Sequence, residues 1–309
     1  MTRIVRQVLA LPLLALGVVL LSYALLNFLP GDPARVVAGA GASSETIESV
    51  REQLGLDAPL LNRLGDYVIG VLHLDLGTSF QTRQPVANEL FAVFPKTVQL
   101  ALLAELIAVI VGFGIGALSA LRSSERGSAV LMITSAAALS LPLFALALLL
   151  QLVFSVWLKW LPPSGDGSFF SLQILLPALT CAIPSAGFVT RFTRTTVLAR
   201  MQEEYVQTAV AKGLRPGLIT RRHILRPSIG TLVSVVAADF SRLLGGVAMV
   251  EIIFGWPGVG KYAFDALVHR DLPALQGAIL VITLAVLVAN QLAELAYRIA
   301  DPRIGAHDQ

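Results

Sequence analysis

The chain has 309 residues, of which 55% are hydrophobic and 14% charged, with a formal net charge of +3, whereas ordinary soluble domains carry about 25% charged residues. A mean hydropathy of +0.75 places it among integral membrane proteins rather than soluble enzymes. The single cysteine, Cys181, excludes an intrachain disulfide, His73, His223, His269 and His307 are too scattered for a metal cluster, and the positions of the basic residues argue against nucleic acid.

A helix needs about 20 apolar residues to cross roughly 30 Å of hydrocarbon, and six runs qualify. The first, 8–29, follows Arg3 and Arg6; it is longer than the ~7–15 residues of a signal-peptide core, so it reads as an uncleaved anchor. A long segment, 30–97, comes next, and within it "SSETIESVREQLGL" predicts a short helix capped at Ser43 or Ser44. The second span, 98–121, carries Gly112, Gly114 and Gly116, which permit close backbone approach. The third, 129–158, and the fourth, 172–190, contain Pro142 and Pro184, each expected to kink its helix. The fifth and sixth occupy 229–254 and 275–296. Open strand edges are not tolerated in a bilayer, so the expected fold is all-α with six transmembrane helices in a single domain.

Lysine and arginine in short connections are retained on the cytoplasmic side. Arg122 and Arg126, the cluster from Arg191 to Arg226, and Arg298 with Arg303 alternate with poorly basic connections, which puts both termini and the 191–228 loop in the cytoplasm and 30–97 outside. The stretch "FGWPGVGKYAFD" has Gly255, Gly260 and Lys261 spaced as in a phosphate-binding loop, yet Tyr262 stands where the magnesium-ligating hydroxyl belongs. On the outer face it reads as a tight turn, with Trp256 and Tyr262 at interfacial depth.

The 191–228 loop contains "EEYVQTAVAKGLRPGLITRRHILRPS". Glu203 and Glu204 at the start and Lys212 at the end suit the dipole of a short helix, and Gly213 suits its left-handed terminator. Tyr205 with Ala209 and Val206 with Val210 form i, i+4 pairs, giving a small apolar face that fits either a groove on a partner protein or a lipid surface. Inside the spans, Asp239 and Arg242 lie i, i+3 and are expected to pair, either as a site for a zwitterionic cargo or as a structural ion pair; Glu105 and Glu251 are further candidates to line a pathway.

At "EYVQTAVAKG" and "HILRPS", and through "FLPGDPA", "REQLGLDAPL", "LDLGTSF", "FGWPGVGKYAFDAL" and "DPRIG" in that order, the chain resembles the membrane permease subunits of ATP-binding cassette importers, in the dipeptide, oligopeptide and nickel permease family. The likeness spans nearly the whole chain. It departs from the wider superfamily pattern at Gln207, Thr208 and Ala209, where Glu-Ala-Ala precedes the loop glycine. The resemblance implies the type I importer transmembrane fold with an extended extracytoplasmic segment, in a bacterial or archaeal plasma membrane. It also implies a second homologous permease, an extracytoplasmic binding protein, peptide cargo, and two ATPase subunits that use ATP and magnesium, with no cofactor or catalytic residue on this chain. Glu204, Tyr205, Thr208, Ala209, Ala211, Lys212 and Gly213 are the residues implied to contact the ATPases. The alternative class is an ion-gradient-driven carrier with Asp239, Glu105 or Glu251 relaying protons, although no inverted repeat is evident.

Overall fold

The computed structural model describes residues 14, 16–20, 23, 34, 38, 41–53, 57–122, 125–165 and 171–300. The span expected at 8–29 lies for the most part outside the described residues, as does "DPRIG" at the C-terminal end. Helix α1 spans Ser44–Gln53. Ser43 is its cap: the Thr46 amide donates to Ser43 Oγ at 3.2 Å, while the Ile47 amide donates to the Ser43 carbonyl. Helix α2 covers Leu60–Leu72 and α3 runs over Val86–Leu121. Helix α4 is Glu125–Ser140 and α5 is Leu143–Trp157. Helix α6 spans Leu172–Met201, α7 Glu204–Ala211, α8 Pro216–Phe254, α9 Val259–Val268 and α10 Leu272–Ala300.

Among the described residues, α3, α6, α8 and α10 are long and apolar enough to cross a membrane. The span expected at 129–158 is two helices, α4 and α5, that meet at 103°. Pro142 explains the break, since it has no amide hydrogen to donate and its ring clashes with a helical predecessor, so the chain leaves the helix at Leu141 and restarts after the proline with ψ 133. Gln151–Trp157 of α5 and Ile219–Leu225 of α8 are wound as π-helix, which inserts a residue per turn and shifts the faces presented beyond it. Pro184 is accommodated within the continuous α6.

The chain divides into two compact units, one formed by the part up to Lys96 together with Pro257–Ala285, the other by Thr97–Trp256 together with Val286 onward. In the first, Val86 and Leu90 of α3 pack with Val259 and Ala266 of α9 and with Ala274, Leu275 and Ala278 of α10. In the second, Leu100, Ala101, Ala104 and Ala108 of α3, Ala178, Cys181 and Ala182 of α6, and Leu243, Val247 and Val250 of α8 form the core. Lipid tails are as apolar as leucine, so here close packing rather than exclusion of water holds helices together, and small residues matter most. Gly112 and Gly116 do this for α3 against α6: a β-carbon at Gly116 would sit 2.6 Å from the Thr190 carbonyl oxygen and 2.6 Å from Thr193 Cβ, and one at Gly112 2.7 Å from Val189 Cβ. Gly114, on the opposite side of the helix, meets nothing within 4 Å among the described residues, so close approach accounts for two of the three glycines read in this span and not for the third.

Candidate functional site

The first candidate site is α7. Its C-terminus closes in a Schellman turn, in which the Gly213 amide donates to the Val210 carbonyl at 2.9 Å and the Leu214 amide to the Ala209 carbonyl at 3.3 Å. The turn needs a left-handed residue, and Gly213 supplies it at φ 72. The helix faces separate differently from the i, i+4 pairing expected. Val206 and Ala209 are 5% and 4% exposed and pack inward with Ala120, Val197, Ile219 and Ile224. Tyr205 and Val210 are 40% and 61% exposed, and Glu204, Thr208, Ala211, Lys212 and Gly213 are exposed as well. Ala209 is therefore corrected from an outward contact to an anchor of the helix: residues three apart are also neighbours on one face, and Val206 and Ala209 turn in together. Arg215, Arg221, Arg222 and Arg226 are exposed along the following segment.

The second candidate site lies in the cores of α3, α6 and α8. Asp239 is 1% exposed, and Arg242 donates to its Oδ1 from Nε at 2.8 Å and from a terminal nitrogen at 2.5 Å. That same terminal nitrogen also donates to Ser185 Oγ on α6 at 3.3 Å, and the guanidinium carbon lies 5.9 Å from the centre of the Phe188 ring. The pairing expected from the i, i+3 spacing is present. Glu105 of α3 is 6% exposed and lies within electrostatic reach of both Asp239 and Arg242. Glu251 is elsewhere engaged: it is fully buried and accepts a hydrogen bond from Thr97 Oγ1 at 2.7 Å, which ties α3 to α8. The structure thus joins Glu105, Asp239 and Arg242, and gives Glu251 a partner of its own.

The stretch after Phe254 is a turn followed by α9. Gly255, at φ 61, closes α8 with a second Schellman turn in which the Trp256 amide donates to the Glu251 carbonyl at 2.9 Å. Trp256 is 0% exposed and belongs to the core with Phe254 and Val250. Lys261 pairs with Asp265 one helical turn along, and the Tyr262 hydroxyl donates to Glu89 at 2.7 Å. Burial, that hydrogen bond and the neighbouring charges of Glu89 and Asp271 push the Tyr262 phenol well above its ordinary range.

A clasp not anticipated from the sequence joins "LDLGTSF" to the start of α10. Asp271 is 2% exposed and caps α10 through the Ala274 amide at 3.3 Å, while its other oxygen accepts from Ser79 Oγ at 2.5 Å and from the Gln81 amide at 3.1 Å. The signal present was Asp-Leu-Pro, a capping residue with proline in the first turn. Its partner, 192 residues away, leaves no local trace.

Two solved transporters share the architecture. A crystal structure of an amino acid ABC transporter with histidines matches with a TM-score of 0.54 at 19% identity, covering 68% of this chain and 94% of that one. The MetNI methionine ABC transporter in an inward-facing form matches with a TM-score of 0.60 at 13% identity, covering 69% and 96%. The fold is that of an ABC transporter's membrane permease. Residues 112–306 match the binding-protein-dependent transport system inner membrane component, and residues 1–101 match the N-terminal part of the membrane component of such systems. The chain belongs to this family of binding-protein-dependent transport system inner membrane components.

Among its relatives, the glutathione transport system permease protein GsiC of Pectobacterium atrosepticum is 37% identical over 97% of both chains. A putative peptide transport system permease protein of Brucella abortus is 37% identical over 96% of both. The chain is thus a multi-pass inner membrane protein and a transport permease subunit, not an enzyme; ATP hydrolysis resides in separate subunits. Membership replaces the ion-gradient-driven carrier as a reading of the sequence.

Proposed function

We propose that this chain forms half of the translocation pathway of a peptide importer, with six membrane-spanning helices, the first at 8–29, and both termini in the cytoplasm. The observation that carries the reading is α7. It is pinned to α6 and α8 by Val206 and Ala209 and leaves Glu204, Tyr205, Thr208, Ala211 and Lys212 facing outward, which is the arrangement needed to receive a force from a partner and pass it to membrane helices. Those five residues with Gly213 form the surface that meets the ATPase subunits, which use ATP and magnesium; Ala209 supports it from beneath. A second homologous permease completes the pathway, and an extracytoplasmic binding protein delivers cargo to the 30–97 segment. The peptide class is supported by the relatives, one described as a glutathione and another as a putative peptide permease. Asp239, Arg242 and Glu105 lie along the pathway, while Glu251 clamps α3 to α8.

The test is ATP-dependent uptake of labelled di- and tripeptides into vesicles holding the chain with its partner permease, ATPases and binding protein, comparing wild type with Gly213→Pro. Proline cannot take φ 72 and has no amide to give Val210. Loss of uptake together with ATPase stimulation is expected. Uptake that continues without ATPase subunits and collapses with the proton gradient overturns the proposal.

A further inference from the structure

We propose that Glu105 and the free oxygen of Asp239 form an acceptor site for the protonated primary amine of the cargo. The inference rests on the peptide reading above and adds the group that the pathway recognises. Its starting point is an imbalance: two buried carboxylates face one guanidinium. Arg242 gives two hydrogen bonds to a single oxygen, Asp239 Oδ1, and another to Ser185 Oγ. Asp239 Oδ2 and both oxygens of Glu105 are buried and receive no donor from any other described residue, and the two carboxyl groups lie within hydrogen-bond reach of each other.

A buried carboxylate without donors is costly, and more so at membrane depth, so side chains of this kind usually serve a ligand or a relay. With both carboxyls ionised the cluster carries one negative charge in excess, so the group that balances it carries positive charge. It must also offer several donors in a small volume. A primary ammonium has one charge and three N–H donors, against three unpartnered carboxylate oxygens. A divalent metal fits less well, since no group of three or more metal-ligating side chains is assembled among the described residues. The Arg242 guanidinium would repel an incoming ammonium, but its charge is held against Asp239 Oδ1, and its side chain stays 56% exposed, on the more open side of the pair. Glu105 stands on α3 and Asp239 on α8, so an amine held between them links two helices that face it from different parts of the bundle.

The experiment uses the purified complex of both permeases and both ATPases, without the binding protein, so that the permease's own preference is read. Thermal stabilisation is titrated with dialanine and with N-acetyl-dialanine, for wild type and Glu105→Gln. Glutamine is nearly isosteric with glutamate, so E105Q is expected to assemble. Dialanine is expected to stabilise wild type, with an apparent affinity about tenfold or more weaker in E105Q, or about 1.4 kcal/mol; the N-acetyl derivative is expected to stabilise neither. Equal stabilisation by both ligands, undiminished stabilisation of E105Q, or none of wild type by dialanine overturns the inference. The comparison of the two ligands on wild type holds even if E105Q fails to assemble. ATP-dependent uptake by the wild-type complex, measured alongside, reports separately on the peptide-importer reading.

Discussion

Gly116→Ala is a demanding test of how the α3–α6 interface is held. The new β-carbon would lie 2.6 Å from the Thr190 carbonyl oxygen and 2.6 Å from Thr193 Cβ, where ordinary contact begins at 3.4 Å. Relief therefore requires a shift of about 0.8 Å, and both obstructing atoms are fixed to the α6 backbone, so no rotamer change provides it. Overpacking of this kind costs typically 1–3 kcal/mol. Taking about 2 kcal/mol, and roughly 2–4 °C per kcal/mol for a chain of this size, the midpoint should fall by about 4–8 °C. The assay is thermal unfolding of the detergent-purified protein, with Gly114→Ala as the matched control. Gly114 has nothing within 4 Å, and alanine gains up to about 1 kcal/mol over glycine in a helix, so the control should be neutral or slightly stabilising. Equal losses in the two variants would refute the argument, because the cost would then belong to glycine flexibility in α3 and not to contact with α6.

Ala209→Leu should destabilise the protein by about 1–3 kcal/mol through overpacking against Val197, Ile219 and Ile224, whereas Val210→Ser, at a 61% exposed position, should leave the unfolding midpoint nearly unchanged. Asp271→Ala should cost about 1 kcal/mol for the lost cap of α10 and more for the stranded Ser79 hydroxyl and Gln81 amide, with hydrogen exchange rising at both 77–82 and 272–275. The raised Tyr262 phenol makes folding favour the protonated form. Its contribution is fully present below the ordinary tyrosine pKa of about 10 and is lost as pH climbs beyond it toward the folded value; the alkaline fall in thermal midpoint should be shallower in Tyr262→Phe.

Much of the helical core was legible because apolar length is a strong signal in a membrane protein. The apolar runs, however, understate the helices: α3 starts at Val86 and α6 continues to Met201, past the point where polar side chains reach water and the hydropathy signal ends. Gly213 and Gly255 announced their left-handed turns because glycine alone takes that backbone without strain. Pro142 announced a break but not its size, since proline forbids a straight helix without fixing the new direction. In α7, eight residues are too few for periodicity to decide which apolar pair turns inward. The Asp239–Arg242 pair was visible as a local spacing. Its juxtaposition with Glu105, and the Ser79–Asp271 clasp, depend on helices meeting in space, for which one sequence holds no local sign.

The inward face of α7 turns two long helices into the arms of a lever. Val206 and Ala209 wedge between Val197 on α6 and Ile224 on α8. From that fulcrum, α6 reaches Ser185 in about 18 Å and α8 reaches Asp239 in roughly 22 Å, at 1.5 Å of rise per residue. A relative tilt of about 10° at the fulcrum swings the far ends by about 3 Å over such lengths, as far as the 3.3 Å hydrogen bond by which Arg242 holds Ser185. A small rotation at the base of the arms is enough to unlatch one helix from the other at the buried charges, with no loop in between to absorb the stroke.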